Sequence, residues 1–238
     1  MTLGVDFDDI NEVFEPKSSN PYLLSVGSIT KHKNQLNLIR AFQAYVKKHP
    51  KTRWKLVLLG NIAHDVQSEL KNILSQGGCS SIYILGSVAD AIIKAAYKHC
   101  AFTVFPSLEE GLGLPIMESV YFHKPCVCAN FGAMKEVSKK YGCISINVRS
   151  NALIEETITR LIKDNAYREK HVNKMKAQKV RTWDQYAQDL IRLVKASKSS
   201  EISTKRNKKN KKRIFWLGMH KLLVKTELER LRLLGYEV

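Results

Sequence analysis

The sequence contains no apolar run that approaches the about 20 residues a helix needs to cross a bilayer. It has five cysteines, an odd number, and we expect no secretory signal peptide, so a disulfide-stapled secreted domain is not expected. Cys126 and Cys128 lie close together, but no second pair of Cys or His accompanies them, which argues against a zinc site. These absences predict a cytoplasmic protein with free, mostly buried thiols.

Acidic residues are scarce relative to basic ones. The chain has 39 Lys and Arg against 22 Asp and Glu, a formal net charge of +17. Residues 196–238 hold 12 of the basic residues and 4 of the acidic ones in less than a fifth of the length. Such a tail either has an acidic partner or is simply a soluble extension.

Six short apolar runs predict buried strands. They are Tyr22–Val26, Trp54–Leu59, Ser81–Leu85, Phe102–Phe105, Cys126–Ala129 and Cys143–Ile146. Helical patterns lie between them, and three more follow at Ala152–Lys163, Tyr167–Lys179 and Trp183–Lys195. Because strands that alternate with helices of this length form βαβ crossovers, we predict an α/β fold over residues 21–196. Its expected architecture is a Rossmann-like parallel sheet with helices on both faces.

Ligands of open parallel sheets bind beyond the carboxyl ends of the strands. The segments that directly follow the predicted strands should therefore lie together at the carboxyl ends of the strands. We call this region the carboxyl edge of the sheet, and it forms the candidate site. These segments are Gly27–Asn34, Gly60–Asn61, Gly86–Val88 and Ser107–Leu114. Asp90, which comes shortly after the third segment, is expected to cap the next helix.

The most informative segment is Ser107–Ser119, which leads into a helix expected over Ile116–Phe122. Pro115 suits the start of a helix, and Gly111 and Gly113 allow the backbone to approach a ligand closely. The free N–H groups of the first helical turn would then form an anion site.

Two carboxylates belong to this segment, Glu110 in the loop and Glu118 one turn into the helix. Because helical side chains tilt toward the helix N-terminus, Glu118 should lean toward the loop and face the same cleft as Glu110. Taken alone, the two glutamates favour the simpler interpretation that both are solvated acids near a helix start, where the helix dipole favours negative charge.

Glu110 and Glu118, with seven residues between them around Gly-Leu-Gly-Leu-Pro, resemble the Glu-x7-Glu signature of retaining glycosyltransferases of family 4. These are the group 1 transferases with the B-type glycosyltransferase fold, and the resemblance covers residues 3–194, the equivalent of the family's C-terminal domain. The segment Leu3–Phe7 resembles the linker that joins the two halves of these enzymes. We therefore expect residues 1–20 to be linker-like and the N-terminal acceptor domain to be absent.

The resemblance implies a role for each residue of the expected edge. Glu118 would hold the ribose hydroxyls of a nucleotide-sugar donor, and Glu110 would lie by hydroxyls of the donor sugar as the catalytic residue. Lys33 would bind the diphosphate, although Ser28 stands where many family members have an arginine. The full set of expected donor-binding residues is Gly27, Ser28, Lys33, Val88, Glu110, Gly111, Leu112, Gly113, Leu114 and Glu118. No metal ion or other cofactor is expected, and Asn130–Val137 resembles a family loop.

The tail departs from the family. Residues 197–213 read as a polar and basic linker, in which Lys205–Arg213 carries seven basic residues and no acid. Residues 214–238 predict an amphipathic helix that begins with aromatic side chains. Two interpretations of residues 205–234 stay open. In the first, they attach the protein peripherally to the anionic inner face of a membrane. In the second, they are a solvated basic linker followed by a helix that packs on the domain or on a partner protein. Nucleic-acid binding is not expected, since no recognised module is present.

Three functional hypotheses follow. The first is the donor-binding part of a retaining glycosyltransferase that transfers a sugar from a nucleotide sugar to a glycan or lipid-linked acceptor, as in polysaccharide biosynthesis. The second is a non-catalytic nucleotide-sugar-binding module or an inactive gene remnant. The third is a split enzyme whose acceptor domain is a separate polypeptide.

Overall fold

The computed structural model describes residues 20–111 and 113–199 of the chain. Within that range the chain divides into two compact units, the first ending at Val180 and the second beginning at Arg181. The linker-like segment before residue 20, Leu112 and the tail beyond residue 199 lie outside the described residues, so the predictions for them stay predictions.

The first unit is built on one six-stranded sheet. Its strands are β1 (Tyr22–Val26), β2 (Lys55–Leu59), β3 (Ile82–Ile84), β4 (Phe102–Phe105), β5 (Cys126–Ala129) and β6 (Ile144–Ile146). Their order across the sheet is β3-β2-β1-β4-β5-β6, and every neighbouring pair is parallel. The prediction of a Rossmann-like parallel sheet is confirmed, with each strand inside its predicted apolar run.

Eight α-helices follow or separate the strands in the described residues. They are α1 (Gln35–Lys48), α2 (Gln67–Ser75), α3 (Asp90–His99), α4 (Leu114–Tyr121), α5 (Gly132–Tyr141), α6 (Asn151–Lys163), α7 (Asn165–Lys176) and α8 (Trp183–Ser199). Two short 3-10 turns precede α2 and β3. None of the helices within the described residues has the length and apolar content needed to span a bilayer.

Both faces of the sheet are buried, as a parallel sheet requires. Along β1 the side chains alternate, so that Leu23 joins one core cluster while Leu24 joins the other. The first cluster takes side chains from α1, α2, α5 and α6, whereas the second takes Ala96 and Tyr97 from α3. Helices therefore cover both faces of the sheet, and the polar loops lie at the two ends of the strands.

Three local predictions were wrong. The segment resembling a loop near residue 130 is largely helix α5, which starts at Gly132 with no side-chain cap and no acid in its first turn, so the usual start signals are missing. Helix α7 runs from Asn165 to Lys176, so it ends three residues before the predicted Lys179, and its last buried side chain is Met175. Asp90 is the first residue of α3 rather than its cap, since the N-cap is Ala89 without a side-chain hydrogen bond.

The second unit contains α8 within the described residues. Arg181 forms an ion pair with Asp189 and lies 5.1 Å from the ring centroid of Tyr186. Ala187 and Leu190 form a small buried cluster on the helix. The described part of this unit is thus an amphipathic helix preceded by polar residues.

Candidate functional site

The strand order creates a switch point between β1 and β4. From β1 the chain proceeds to β2 and β3 on one side, whereas β4 leads to β5 and β6 on the other. At such a point the loops leaving the two central strands diverge and open a crevice at the carboxyl edge, where ligands of open α/β sheets bind. The loops in question follow Val26 and Phe105, and they contain most of the candidate residues.

Hydrogen bonds tie the loops after β1 and β4 together. The N–H of Leu108 donates to the carbonyl oxygen of His32 at 2.7 Å. Asn34, whose backbone is left-handed with φ 61°, donates from its side-chain amide to the carbonyl oxygens of Pro106 at 3.1 Å and Val148 at 2.9 Å. One buried amide therefore joins the loops that follow β1, β4 and β6 into a single rigid edge.

This edge brings Lys33 and Glu110 into contact. The ammonium of Lys33 donates to Oε1 of Glu110, and the Ser107 hydroxyl lies 2.8 Å from the same oxygen. The two side chains retain only 21% and 14% of their exposure, and the ammonium also lies 5.3 Å from the ring centroid of Phe105. Two candidate residues that are 77 positions apart in sequence thus form one partly buried charge pair at the switch point.

Glu118, in α4, is hydrogen-bonded to a side chain of the neighbouring helix α3. Its Oε2 accepts a hydrogen bond of 2.7 Å from the hydroxyl of Tyr97 in α3. Burial is the largest influence on the pKa of Glu118 and raises it; the bond from Tyr97 lowers it, and the charge of Asp90 raises it, so that the net pKa is raised. The second carboxylate therefore carries a neutral partner instead of a cation.

The start of α4 requires glycine. Gly113 is the N-cap with φ 73°, a left-handed backbone that side chains rarely adopt, and an added Cβ would lie 2.9 Å from the sulfur of Met134. Leu114 is the first helical residue and Pro115 the second. Because Pro115 has no N–H and that of Ile116 already donates to Gly113, the first turn offers fewer donors than expected, chiefly Leu114.

The glycines of the neighbouring loops make a tight junction at the same edge. Gly60, with φ 146°, lies so close to the loop after β1 that an added Cβ would be 2.2 Å from the carbonyl oxygen of Gly27. Gln35 donates to the carbonyl oxygens of Gly27 and Ser28 at 3.1 and 3.0 Å. The N–H of Gly60 in turn donates to Gly86 at 2.7 Å. The exits of β1, β2 and β3 are therefore packed backbone to backbone.

The other expected residues that the structure describes are Val88, Gly111 and Leu114. The side chain of Val88 packs against the second core cluster. Gly111 is exposed, Leu114 is 37% exposed, and Leu112 lies outside the described residues. Asn34 and Ser107 lie in the predicted segments, but no sequence pattern indicated their contacts with Pro106, Val148 and Glu110. Tyr97 was missed as a member of the site. A buried Tyr usually has a hydrogen-bond partner, and that rule was the available signal for Tyr97.

The cysteines are separate from this edge. Cys100, Cys126 and Cys128 are buried and Cys143 is half-buried, and all four are free thiols, as predicted. Burial raises the pKa of Cys100 to about 12, so its thiol stays protonated. Across residues 20–111 and 113–199, no group of three or more His, Cys, Asp and Glu is arranged to hold a metal ion.

Comparison with known proteins places this edge in context. The family model described as glycosyl transferases group 1 matches residues 6–180. An uncharacterised glycosyltransferase of Methanocaldococcus jannaschii is 27% identical over 177 residues, which cover 73% of this chain and 44% of that protein. The O-antigen chain mannosyltransferase B of Escherichia coli is 30% identical over 150 residues, covering 62% of this chain and 38% of that protein. The chain thus spans less than half the length of these curated relatives.

A solved structure matches with fuller mutual coverage. It is the C-terminal domain of the glycosyl transferase group 1 family protein LpcC from Francisella tularensis, with 24% identity and a TM-score of 0.57. The match covers 71% of this chain and 87% of that one. At this level of identity the likeness shows a shared fold.

Proposed function

The chain belongs to the group 1 glycosyl transferases, and we propose that it is the donor-binding part of a retaining, family 4 glycosyltransferase. In this proposal it takes a sugar from a nucleotide sugar and passes it to a glycan or lipid-linked acceptor, with the acceptor site supplied by a separate domain or polypeptide. The observation that carries the proposal is the Lys33–Glu110 pair at the switch point, beside the start of the helix that carries Glu118.

Each site residue has a chemical task in this proposal. Glu118 accepts hydrogen bonds from two neighbouring ribose hydroxyls, because an ionised carboxylate is an acceptor with two oxygens. Lys33 and the Gly113–Leu114 backbone bind the diphosphate, and Glu110 accepts from hydroxyls of the donor sugar. When the bond between the anomeric carbon and the diphosphate oxygen breaks, its electron pair goes to that oxygen. The ammonium and the amides stabilise the resulting charge without a metal ion. The acceptor hydroxyl forms the new bond to the anomeric carbon and passes its proton to the departing nucleoside diphosphate.

The nature of the acceptor draws on the relatives. The O-antigen chain mannosyltransferase of Escherichia coli supports a glycan acceptor and a hexose donor for this chain. Attachment to an anionic membrane surface through residues 205–234 stays a prediction because those residues lie outside the described range. The cytoplasmic location stays a prediction as well.

Thermal unfolding of the purified chain against a panel of nucleotides and nucleotide sugars tests the proposal. A ligand at 100 times its Kd should add about 2.7 kcal/mol to the free energy of unfolding, which raises the melting temperature by a few degrees. The shift should be lost in Glu118→Ala and kept in Glu109→Ala, since Glu109 is an exposed carboxylate of the same loop. A folded chain that no donor shifts, or equal shifts in both variants, would contradict the proposal.

A further inference from the structure

Tyr97 gives Glu118 its hydrogen-bond partner from the interior of the protein. It lies in α3, is 1% exposed, and donates its hydroxyl to Oε2 of Glu118 at 2.7 Å. Burial and the neighbouring charge of Glu118 raise the pKa of Tyr97 well above its ordinary value, so the hydroxyl keeps its proton and remains a donor. A buried aromatic residue thus places a permanent donor beneath the carboxylate.

The ring of Tyr97 is fixed by its surroundings. It stacks on Phe122 with ring centroids 5.4 Å apart and planes only 3° from parallel. It also belongs to the second core cluster, together with Tyr22, Leu24 and Val57. Glu118 lies in α4, and Phe122 is the residue that directly follows the helix. Tyr97 therefore contacts a side chain within α4 and one at its C-terminal end.

The helix that carries Glu118 is anchored on a different side as well. The hydroxyl of Thr103 in β4 donates to the hydroxyl of Ser119 at 2.7 Å, and that of Ser119 donates to the carbonyl oxygen of Pro115 at 2.6 Å. Both Thr103 and Ser119 are buried. With α4 fixed to the sheet, the orientation of the Glu118 carboxylate depends on the bond from Tyr97.

We propose that Tyr97 is a positioning residue for the donor: its hydroxyl anchors Oε2 of Glu118 so that Oε1 points toward the hydroxyls of the ligand. This inference rests on the proposed function of Glu118. Among the residues the structure describes, Tyr97 is the one that donates to this carboxylate, and its bond uses Oε2 alone. The other oxygen is left for a ligand, and the anchored geometry reduces the ordering that binding must otherwise impose.

The plainer explanation is a core hydroxyl that simply needs an acceptor. Tyr22 is such a case, because it is 3% exposed, belongs to the same cluster and donates to the carbonyl oxygen of Ala96 at 2.8 Å. Both hydroxyls are buried donors, and their acceptors differ: a backbone carbonyl for Tyr22 and an ionisable side chain at the carboxyl edge for Tyr97. Tyr22→Phe is therefore a matched control for Tyr97→Phe.

The positioning role has a signature in pH. Tyr97 and Asp90 act on Glu118 in opposite directions, since the hydrogen bond lowers the pKa of the carboxyl and the Asp90 charge raises it. Donor affinity should fall as the pH drops through the pKa of Glu118, because a protonated carboxyl accepts less strongly. Tyr97→Phe raises that pKa and moves the fall to higher pH, whereas Asp90→Asn lowers it and moves the fall to lower pH.

The experiment is calorimetric titration of GDP-mannose and UDP-glucose into the full chain from pH 5 to pH 9. The proteins are wild type, Tyr97→Phe, Tyr22→Phe, Asp90→Asn and Glu118→Ala, with Tyr97→Phe/Glu118→Ala to close a double-mutant cycle. We expect Tyr97→Phe to weaken affinity about threefold to tenfold near neutral pH, since a hydrogen bond to a charged group is lost. Tyr22→Phe should leave both the affinity and the pH profile unchanged.

The outcomes separate this inference from the function it rests on. If wild type binds and Tyr97→Phe keeps its affinity and pH profile, or if the substitution costs as much in the Glu118→Ala background, Tyr97 is a core residue only. Should Tyr97→Phe fail to fold, an Asp90→Asn profile that does not move to lower pH overturns the inference. If folded wild type binds neither donor, the proposed function falls first, and the inference falls with it.

Discussion

Glu110 and Glu118 belong to the same edge of the sheet, yet one is held by a cation and the other by a neutral hydroxyl. Glu110 pairs with Lys33, a side chain from a different loop that is itself partly exposed. Glu118 accepts from Tyr97, which is buried and locked by Phe122. The first partner is charged and partly exposed, whereas the second is uncharged and buried.

The difference matters for what a ligand can change. A diphosphate can compete for the ammonium of Lys33, so binding would exchange one anionic partner for another and release Glu110 toward the sugar. No ligand can displace Tyr97 without opening the core. We therefore infer that the Lys33 side of the site rearranges on donor binding and that the Glu118 side is preorganised.

Of the substitutions that test this difference between the two glutamates, Lys33→Ala should have the largest effect. It removes the diphosphate's cation and leaves Glu110 partly buried without its charged partner. Donor affinity should fall about tenfold to a hundredfold, since hydrogen bonds between charged groups contribute about 1.5–3 kcal/mol. Calorimetric titration measures the loss. Lys31→Ala is the matched control, because its ion pair with Asp65 spans 3.7 Å between side chains that are 70% and 54% exposed. Equal affinities in the two variants would show that Lys33 is not part of the donor site.

Glu110→Gln should have an intermediate and more selective effect. It frees Lys33 from its anionic partner, so a nucleoside diphosphate without a sugar should bind about threefold to tenfold more tightly at low salt. A complete nucleotide sugar should gain less, because Glu110 no longer contacts the sugar as a carboxylate. The comparison is made by titrating both ligands into Glu110→Gln and into Glu109→Gln, its exposed neighbour. A uniform gain for both ligands would place Glu110 away from the sugar.

Glu118→Gln should have the smallest effect, on stability. The pKa of Glu118 is raised in the folded protein, so the carboxyl destabilises the fold as the pH rises through that pKa and ceases to do so below the unfolded value. The variant should be more stable than wild type near neutral pH, on the order of 1 kcal/mol per unit of pKa shift, and the gain should vanish in acid. Melting temperatures from pH 4 to pH 8 measure it against exposed Glu156→Gln. A gain that is independent of pH would contradict the assigned cause.

The sheet was predictable because strands that are buried on both faces appear in the sequence as short apolar runs. Runs such as Phe102–Phe105 and Cys126–Ala129 are short and mostly apolar, each has a proline beside it, and each became a strand. Helix α5 was not predictable by the same means. It begins after Phe131 at Gly132, without a capping side chain, and tertiary packing of Met134 against the core replaces those local signals.

The site was predictable in its parts and not in its connections. The motif around Glu110 and the loop of Lys33 are local patterns, so each residue could be nominated separately. That the two would form an ion pair depends on a contact across 77 positions, which no local pattern encodes. Tyr97 lies in α3 and packs its ring in the second core cluster. Its hydroxyl reaches Glu118 only because α3 and α4 lie side by side in the folded chain.

The hydrogen bonds of Asn34 limit the positions at which segments of related proteins can be exchanged. Its side-chain amide bonds to carbonyl oxygens of Pro106 and Val148, which belong to loops more than 40 residues apart. In a chimera with a crossover between those loops, the Asn34 amide and one of its two carbonyl acceptors would come from different parents. Crossovers placed before Asn34 or after Val148 keep all three partners from one parent. Hybrids cut at those points should therefore retain the contacts between these loops more often than hybrids cut between them.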